Sequence, residues 1–299
     1  MRALFRKHAL LIISAVAVFC VSTFAFILLH KEVPVPKVTP LESQTVQLTE
    51  HKVIGKSVEG REIEAYTYGN GATHLLFVGG IHGGYEWNSV VLAYRFIDYL
   101  KENPTVVPKN LTVAVIPSAN PDGVYRVIGK EGRFTIKDVP NDKKLAETGR
   151  FNAHDIDLNR NFDCKWKPQS MWKNRVVSAG SKAFSEPEAA ALRDFVVAYT
   201  PKSVVFWHSQ ANAVYASKCE VGILPETLDI MNVYAKASGY AAIKTFDQYE
   251  TSGDSEGWLA SINIPAITVE LKTHETVEWE KNLAGVKALL THYSITAKE

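Results

Sequence analysis

Apolar and polar positions along the chain fall into short strand-like runs separated by stretches with helical spacing. Residues 62–68 alternate as a strand with one buried face, whereas residues 74–78, 111–116, 203–207 and 266–271 are continuous apolar runs of strand length, the pattern of strands covered on both faces. Helical spacing runs through residues 86–100, where Val90, Val91, Tyr94, Ile97 and Leu100 share a face and Pro104 lies beyond the end. The run Ser185-Glu186-Pro187-Glu188 reads as a capping box before a helix carrying Leu192, Phe195, Val196 and Tyr199 on one side. Further helices are expected at residues 225–238, stopped by Gly239, at 255–262, and at 276–293 with Trp279, Leu283, Val286, Leu290 and Tyr293 on one face. Between them, Asn120-Pro121-Asp122-Gly123 reads as a turn, and residues 124–154 are polar and weakly periodic, as binding loops are. Strands alternating with helices predict a three-layer α/β/α domain around a mostly parallel or mixed central sheet, with the ligand site outside the strand ends.

The first residues break this pattern. Arg2, Arg6 and Lys7 precede residues 9–29, a stretch of 21 residues without a charge. As a helix rising about 1.5 Å per residue, that stretch covers roughly the hydrocarbon thickness of a bilayer. The expectation is an uncleaved single-pass anchor over residues 1–30, with a cleaved signal peptide as the alternative. The basic flank keeps the N-terminal end in the cytoplasm and places the rest on the extracytoplasmic side. Residues 31–49, with Pro34, Pro36 and Pro40, then read as a linker, and residues 50–299 as one catalytic domain whose turn-rich lead covers 54–61. The 299 residues are 46% hydrophobic and 22% charged with a formal charge of +1, which supports a real core and argues against disorder and a nucleic-acid face. Cys20 falls in the apolar segment. Cys164 and Cys219 remain for an oxidising compartment, either as a disulfide or as two buried thiols.

Candidate chemistry starts at Gly79-Gly80-Ile81-His82-Gly83-Gly84-Tyr85-Glu86-Trp87-Asn88, directly after an apolar strand. It offers an imidazole and a carboxylate, ligand types that suit zinc, among glycines that let backbone and ligand approach closely. His208 closes another apolar run, and Glu270 lies near the end of a third. In Asp157-Leu158-Asn159-Arg160-Asn161-Phe162 a planar guanidinium stands among amides, the equipment for gripping a carboxylate.

In this order the motifs resemble the zinc carboxypeptidases of the M14 family, over roughly residues 54–293. The resemblance implies that His82, Glu86 and His208 hold one zinc per chain and that Glu270 is the general base. It implies that Arg150 polarises the scissile carbonyl, with Arg126 and Arg133 as alternatives in the same segment. Asn159 and Arg160 would bind the substrate's terminal carboxylate, Tyr249 would close over it, and Asp157 would stand behind His82. Glu256, or Asp254 in its place, would make the side-chain pocket acidic and favour basic C-terminal residues, diaminopimelate included. One departure is visible: His82 and Glu86 are separated by three residues where many members have two, and Gly83 and Gly84 are the residues able to absorb the insertion. His51, His74, His154, His274 and His292 are expected to be structural or solvated. The implied activity is that of a membrane-anchored, exported metallocarboxypeptidase acting on peptides, cell-wall peptides among them. The alternatives are an amidohydrolase of small N-acyl amino acids and a non-catalytic module that binds peptide ends. The expected partners are a peptide with a free C-terminal carboxylate and, through residues 9–29, a lipid bilayer; a monomer without nucleic acid is expected.

Overall fold

The computed structural model describes residues 48–220 and 222–296, so the expected anchor and most of the expected linker lie outside the described residues. No helix among the described residues is long and apolar enough to cross a membrane. In chain order the strands are β1 (Leu48–Lys56), β2 (Glu62–Gly69), β3 (Thr73–Val78), β4 (Leu111–Ile116), β5 (Gln169–Trp172), β6 (Arg175–Ser178), β7 (Ser203–Ser209), β8 (Ala213–Ala216), β9 (Ala241–Ile243) and β10 (Ala266–Leu271). The helices are α1 (Trp87–Glu102), α2 (Pro121–Ile128), α3 (Lys143–Thr148), α4 (Pro187–Tyr199), α5 (Pro225–Ser238), α6 (Ser255–Ser261) and α7 (Trp279–Thr296).

Eight strands form one mixed sheet in the order β1-β2-β4-β3-β7-β10-β8-β9. The four continuous apolar runs are its parallel centre, β4-β3-β7-β10, and β4 and β7 are buried along their whole length. Alternate side chains enter two separate cores. Leu75, Phe77, Val205, Trp207 and Val269 face α1, α5 and α7, whereas Leu76, Val78, Val204, Phe206 and Ala266 face α4 and α6. Helices therefore cover both faces, as a sheet with apolar residues of both parities requires. From β3 the chain crosses through α1 to β4 on one side, while β7, the neighbour on the other side, leads towards β10. The ends of β3 and β7 thus flank a point where strand order reverses, which opens a crevice at their C-terminal ends.

Several expectations change. Residues 48–56 are strand β1, paired antiparallel with β2, so the turn-rich lead shrinks to the turn closed by Ser57 and Arg61. Nearly all of β1 is exposed, and a strand without a buried face leaves no alternation to read. Asn120 is not part of a free turn: its side chain accepts from the Gly123 N–H, Pro121 occupies the first helical position, and α2 follows. The polar segment behind it also holds α3, capped by Asp142. The expected capping box at Ser185 does not form. Glu186 is the N-cap residue, Ser185 Oγ donates to Glu186, and Glu188 accepts instead from Val58 N and Asn152.

Candidate active site

His82 follows β3, and Gly83–Glu86 then turns once as a 3-10 helix before α1 begins. Both glycines sit where a side chain would not fit. Gly83 sits at φ +46°, and a Cβ there would lie 2.5 Å from the Gly149 carbonyl oxygen; one on Gly84 would lie 2.6 Å from Val127. His208 comes from the buried β7, and Glu270 of β10 stands opposite it in parallel register. Glu86 Oε1 lies 2.8 Å from His82 Nδ1, and Glu86 Oε2 3.1 Å from His208 Nδ1. The two Nδ1 atoms are only 3.2 Å apart. Those nitrogens cannot both donate to one another, and with the carboxylate they form a donor set that suits zinc; ligand atoms of all three residues fall within 4.8 Å. Burial disfavours charge on both Glu86 and His208. Nevertheless His82 and His208 hold the Glu86 carboxyl well below its usual range, and Glu86 and Glu256 push His208 well above its own.

Each histidine has a carboxylate behind it. Asp157 Oδ1 is 3.6 Å from His82 Nε2, and Glu256 Oε1 is 3.1 Å from His208 Nε2. The first contact follows the resemblance; the second was missed, because only the packing of α6 on the sheet brings Glu256 to His208 of β7. Glu256 also accepts from Thr268 Oγ1 at 2.9 Å and Ser255 Oγ at 2.9 Å. Burial works against its ionisation, but His208, its own backbone amide and the Ser255 hydroxyl bring it down to about 2. Asp254 differs: burial and the neighbouring Glu256 charge push it up to about 6.

Arg150, and neither alternative, reaches the centre. Its Nε and one terminal nitrogen contact Asp157 Oδ2, each at 2.8 Å, and its other terminal nitrogen stands 3.9 Å from Glu86 Oε1. Against the cost of burial, Arg150, Arg160 and His82 hold Asp157 far below the usual carboxylate range. Arg126 is turned to Thr148, Asn152 and Asp155, and Arg133 to Asp98. Arg160 is buried with its guanidinium fixed by the Met171 and Asn159 carbonyls. Asn159 Oδ1 accepts twice from Ser255, and Nδ2 has no hydrogen-bond partner among the described residues. Together with Tyr249, Asp254, Glu256 and Glu270, these residues border one cavity of about 100 Å³ beside the two histidines. Glu270 Oε2 is shielded from solvent without a hydrogen bond among the described residues. Burial and the Glu86 and Glu256 charges push Glu270 up to about 8, against His208 and Arg150.

A second group of residues was not foreseen. Trp172, on the hairpin β5–β6, lies beneath the Arg150 guanidinium at 4.7 Å and packs edge-on against Tyr85. His274, expected to be structural or solvated, lies at the rim: its ring contacts Tyr85, and its Nδ1 is 2.6 Å from Ser209 Oγ. The Ser209 N–H donates to Glu86 Oε2, which links this rim to the histidine pair. Aromatics in short irregular segments give no periodic signal. Finally, Cys164 and Cys219 are joined, 55 residues apart in sequence, and the Cys164 carbonyl accepts from Gly253 beside the cavity.

Two imidazoles and a carboxylate at the open end of a mixed sheet, with an unpaired carboxyl and a fixed guanidinium facing them, define a metal-dependent hydrolase. The sequence pattern of the M14 peptidases, the zinc carboxypeptidases, matches residues 38–287, and the chain belongs to that family. It is 26% identical over 238 residues to gamma-D-glutamyl-L-diamino acid endopeptidase 1 of Lysinibacillus sphaericus, covering 73% of this chain and 59% of that protein. Murein peptide amidase A of Escherichia coli K12 is 28% identical over 131 residues, 40% of this chain and 50% of the relative. The chain thus spans little more than half the length of these relatives. In fold it is similar to the murein-tripeptide amidase of Escherichia coli O157, with TM-score 0.58 and 24% identity over 82% of this chain and 92% of that one. It is also similar to the carboxypeptidase A of Helicoverpa armigera, with TM-score 0.65 and 19% identity over 85% and 70%.

Proposed function

We propose that the protein is a zinc carboxypeptidase that releases a C-terminal diamino acid from cell-wall peptides, cutting the bond to a γ-linked glutamyl residue. One observation carries the reading: a single small cavity beside the histidine pair combines a cationic grip, Asn159 and Arg160 with Tyr249, and an acidic wall, Asp254 and Glu256. A terminal carboxylate and a distal ammonium on the leaving residue complement these two sides. The names of the Lysinibacillus and murein amidase relatives point to the same substrate class.

His82, Glu86 and His208 would hold one zinc, which when bound acidifies water and polarises the scissile carbonyl. Glu270 takes the proton of the attacking water and passes it to the leaving amine, so the broken C–N bond ends as a carboxylate and an ammonium. Asp157 engages two nitrogens of Arg150 and leaves the third directed at the centre, where it stabilises the oxyanion as charge develops. Asp157 and Glu256 orient the two histidines through their far nitrogens. Glu256 has a second role as part of the pocket that selects the side chain, alongside Asp254. For the chain's place in the cell, we propose anchoring through residues 9–29 with the catalytic domain outside the cytoplasm; the disulfide supports an oxidising compartment.

The test is mass spectrometry of digests of γ-D-glutamyl-lysine, γ-D-glutamyl-diaminopimelate and α-linked control peptides, with and without a chelator. The reading expects chelator-sensitive release of the diamino acid from the γ-linked peptides. Preference for α-linked peptides ending in leucine would overturn it.

A further inference from the structure

A larger cleft of about 510 Å³ is bordered by Tyr85, Lys173, Gln210, His274 and Ile136 among others, and shares no lining residue with the smaller cavity. It is continuous in its contacts with the reaction centre, since Tyr85 precedes Glu86, Gln210 follows Ser209, and Trp172 bridges from Arg150 to Tyr85. With the leaving residue assigned to the smaller cavity, this cleft is where the rest of a substrate must lie. Its volume is in the usual range for a small-molecule site.

Lys173 marks its chemistry. Placed at the tip of the β5–β6 hairpin with φ 55°, it has its ammonium over both the Trp172 and Tyr85 rings, at 5.1 and 5.7 Å, and donates to Tyr85 Oη at 3.1 Å. No carboxylate pairs with it among the described residues. Two of the three acids that border the cleft are otherwise engaged: Asp142 caps α3 through the Lys144 and Leu145 amides, and Glu147 faces Arg175 at 3.5 Å. Glu275, the third, follows His274 in the chain and has no ion pair with Lys173. An ammonium steadied by two aromatic faces keeps hydrogen-bond capacity for an anion from outside.

We propose that this cleft receives the acyl half of the substrate and that Lys173 recognises a free carboxylate on the residue supplying the scissile carbonyl. A glutamyl residue joined through its side chain keeps its α-carboxylate free a few bonds from the carbonyl under attack, whereas an α-linked residue with a non-acidic side chain has none there; an α-linked glutamate places a carboxylate at the same distance but carries its acylated nitrogen beside the scissile carbonyl instead of beside that carboxylate. The apolar border at Ile136, Val139 and Pro140 suits a small apolar residue on the far side of it. The inference rests on the γ-glutamyl reading above and adds the group that recognises the free α-carboxylate.

Calorimetry on the zinc-loaded full chain separates the two. The ligands are the acyl products L-alanyl-D-glutamate and L-alanyl-D-isoglutamine, which share the γ-carboxylate and differ only in whether the α-position is a carboxylate or an amide. The acid should bind about five- to tenfold more tightly, as expected for one charge-assisted hydrogen bond at a partly exposed site. Lys173→Met should bring the ratio close to one, and Lys173→Arg should largely restore it. Equal binding by the unmodified protein overturns the proposal, as does a Lys173→Met chain that weakens both ligands alike, because Lys173 then acts by packing alone. If γ-linked peptides are not hydrolysed but the binding ratio and its loss are seen, the proposed reaction fails and the cleft assignment stands.

Discussion

Removing the Cys164–Cys219 bridge should both destabilise the domain and loosen the carboxylate grip. The bridge closes a loop of 55 residues in the unfolded chain, and on the loop-entropy account its loss costs about 4 kcal/mol at 25 °C. For a domain of about 250 residues, with an unfolding entropy near 2 cal/mol/K per residue, that is a fall in Tm of roughly 8 °C. The functional effect follows from position. Cys164 packs close to Gly257 of α6, its carbonyl accepts from Gly253, and Asn159 is fixed by Ser255 just beyond. Freed from the bridge, these neighbours sample more arrangements, so KM should rise more than kcat falls. Differential scanning calorimetry of the oxidised protein and of Cys164→Ala/Cys219→Ala, with steady-state kinetics on both, measures the two effects. A double variant melting within 2 °C of the parent with an unchanged KM would refute the reasoning on both counts.

His208→Ala should abolish zinc retention in elemental analysis, whereas Glu270→Gln should keep the metal and lose about 100- to 10,000-fold in kcat; appreciable turnover by Glu270→Gln sinks the assignment of the base. Gly83→Ala should cost about 1–3 kcal/mol in chemical denaturation and weaken zinc binding, because the new Cβ meets the Gly149 carbonyl at a positive φ. Asp254→Asn keeps an acceptor for the Gly257 amide but removes a carboxyl whose pKa is raised from 3.8 to about 6 in the fold. Such a group contributes stability below pH about 4 and loses it as pH rises through about 6, so the variant should gain up to about 3 kcal/mol on the parent at pH 8 and little at pH 4. Parallel pH–stability curves for the two proteins would contradict this.

The centre of the sheet was legible because four parallel strands buried on both faces must be written as continuous apolar runs. The bounds of α5 were legible for a similarly local reason, with Pro225 at its first position and Gly239 in the left-handed conformation at its end. What escaped lacks a local signature. The strand β1 buries too little to show a pattern, β8 and β9 are short, and β5–β6 is a hairpin outside the main sheet. The Asn120-Pro121 start of α2 was a readable helix signal, obscured by treating Asn-Pro-Asp-Gly only as a turn. In the site, the candidate ligands His82, Glu86 and His208 could be named, and the fold brings them together, because metal chemistry restricts ligands to few residue types. Trp172, Lys173 and His274 are ordinary residues until the fold sets them around Tyr85, and the contact of Glu256 with His208 exists only across the packed layers.

The histidine pair also bears on when the protein could acquire the proposed metal. His208 stands 122 residues beyond Glu86, so no local segment of the chain carries the full donor set, and the pocket exists only once β7 has docked beside β3. An ion that binds the folded chain and not the unfolded one adds about 4 kcal/mol to stability when its free concentration is a thousandfold above Kd. Where zinc is scarce that margin disappears, and the unfolded fraction open to proteolysis rises in proportion. On the proposed zinc assignment, metal supply would therefore govern how much of the protein accumulates as well as how fast each copy turns over.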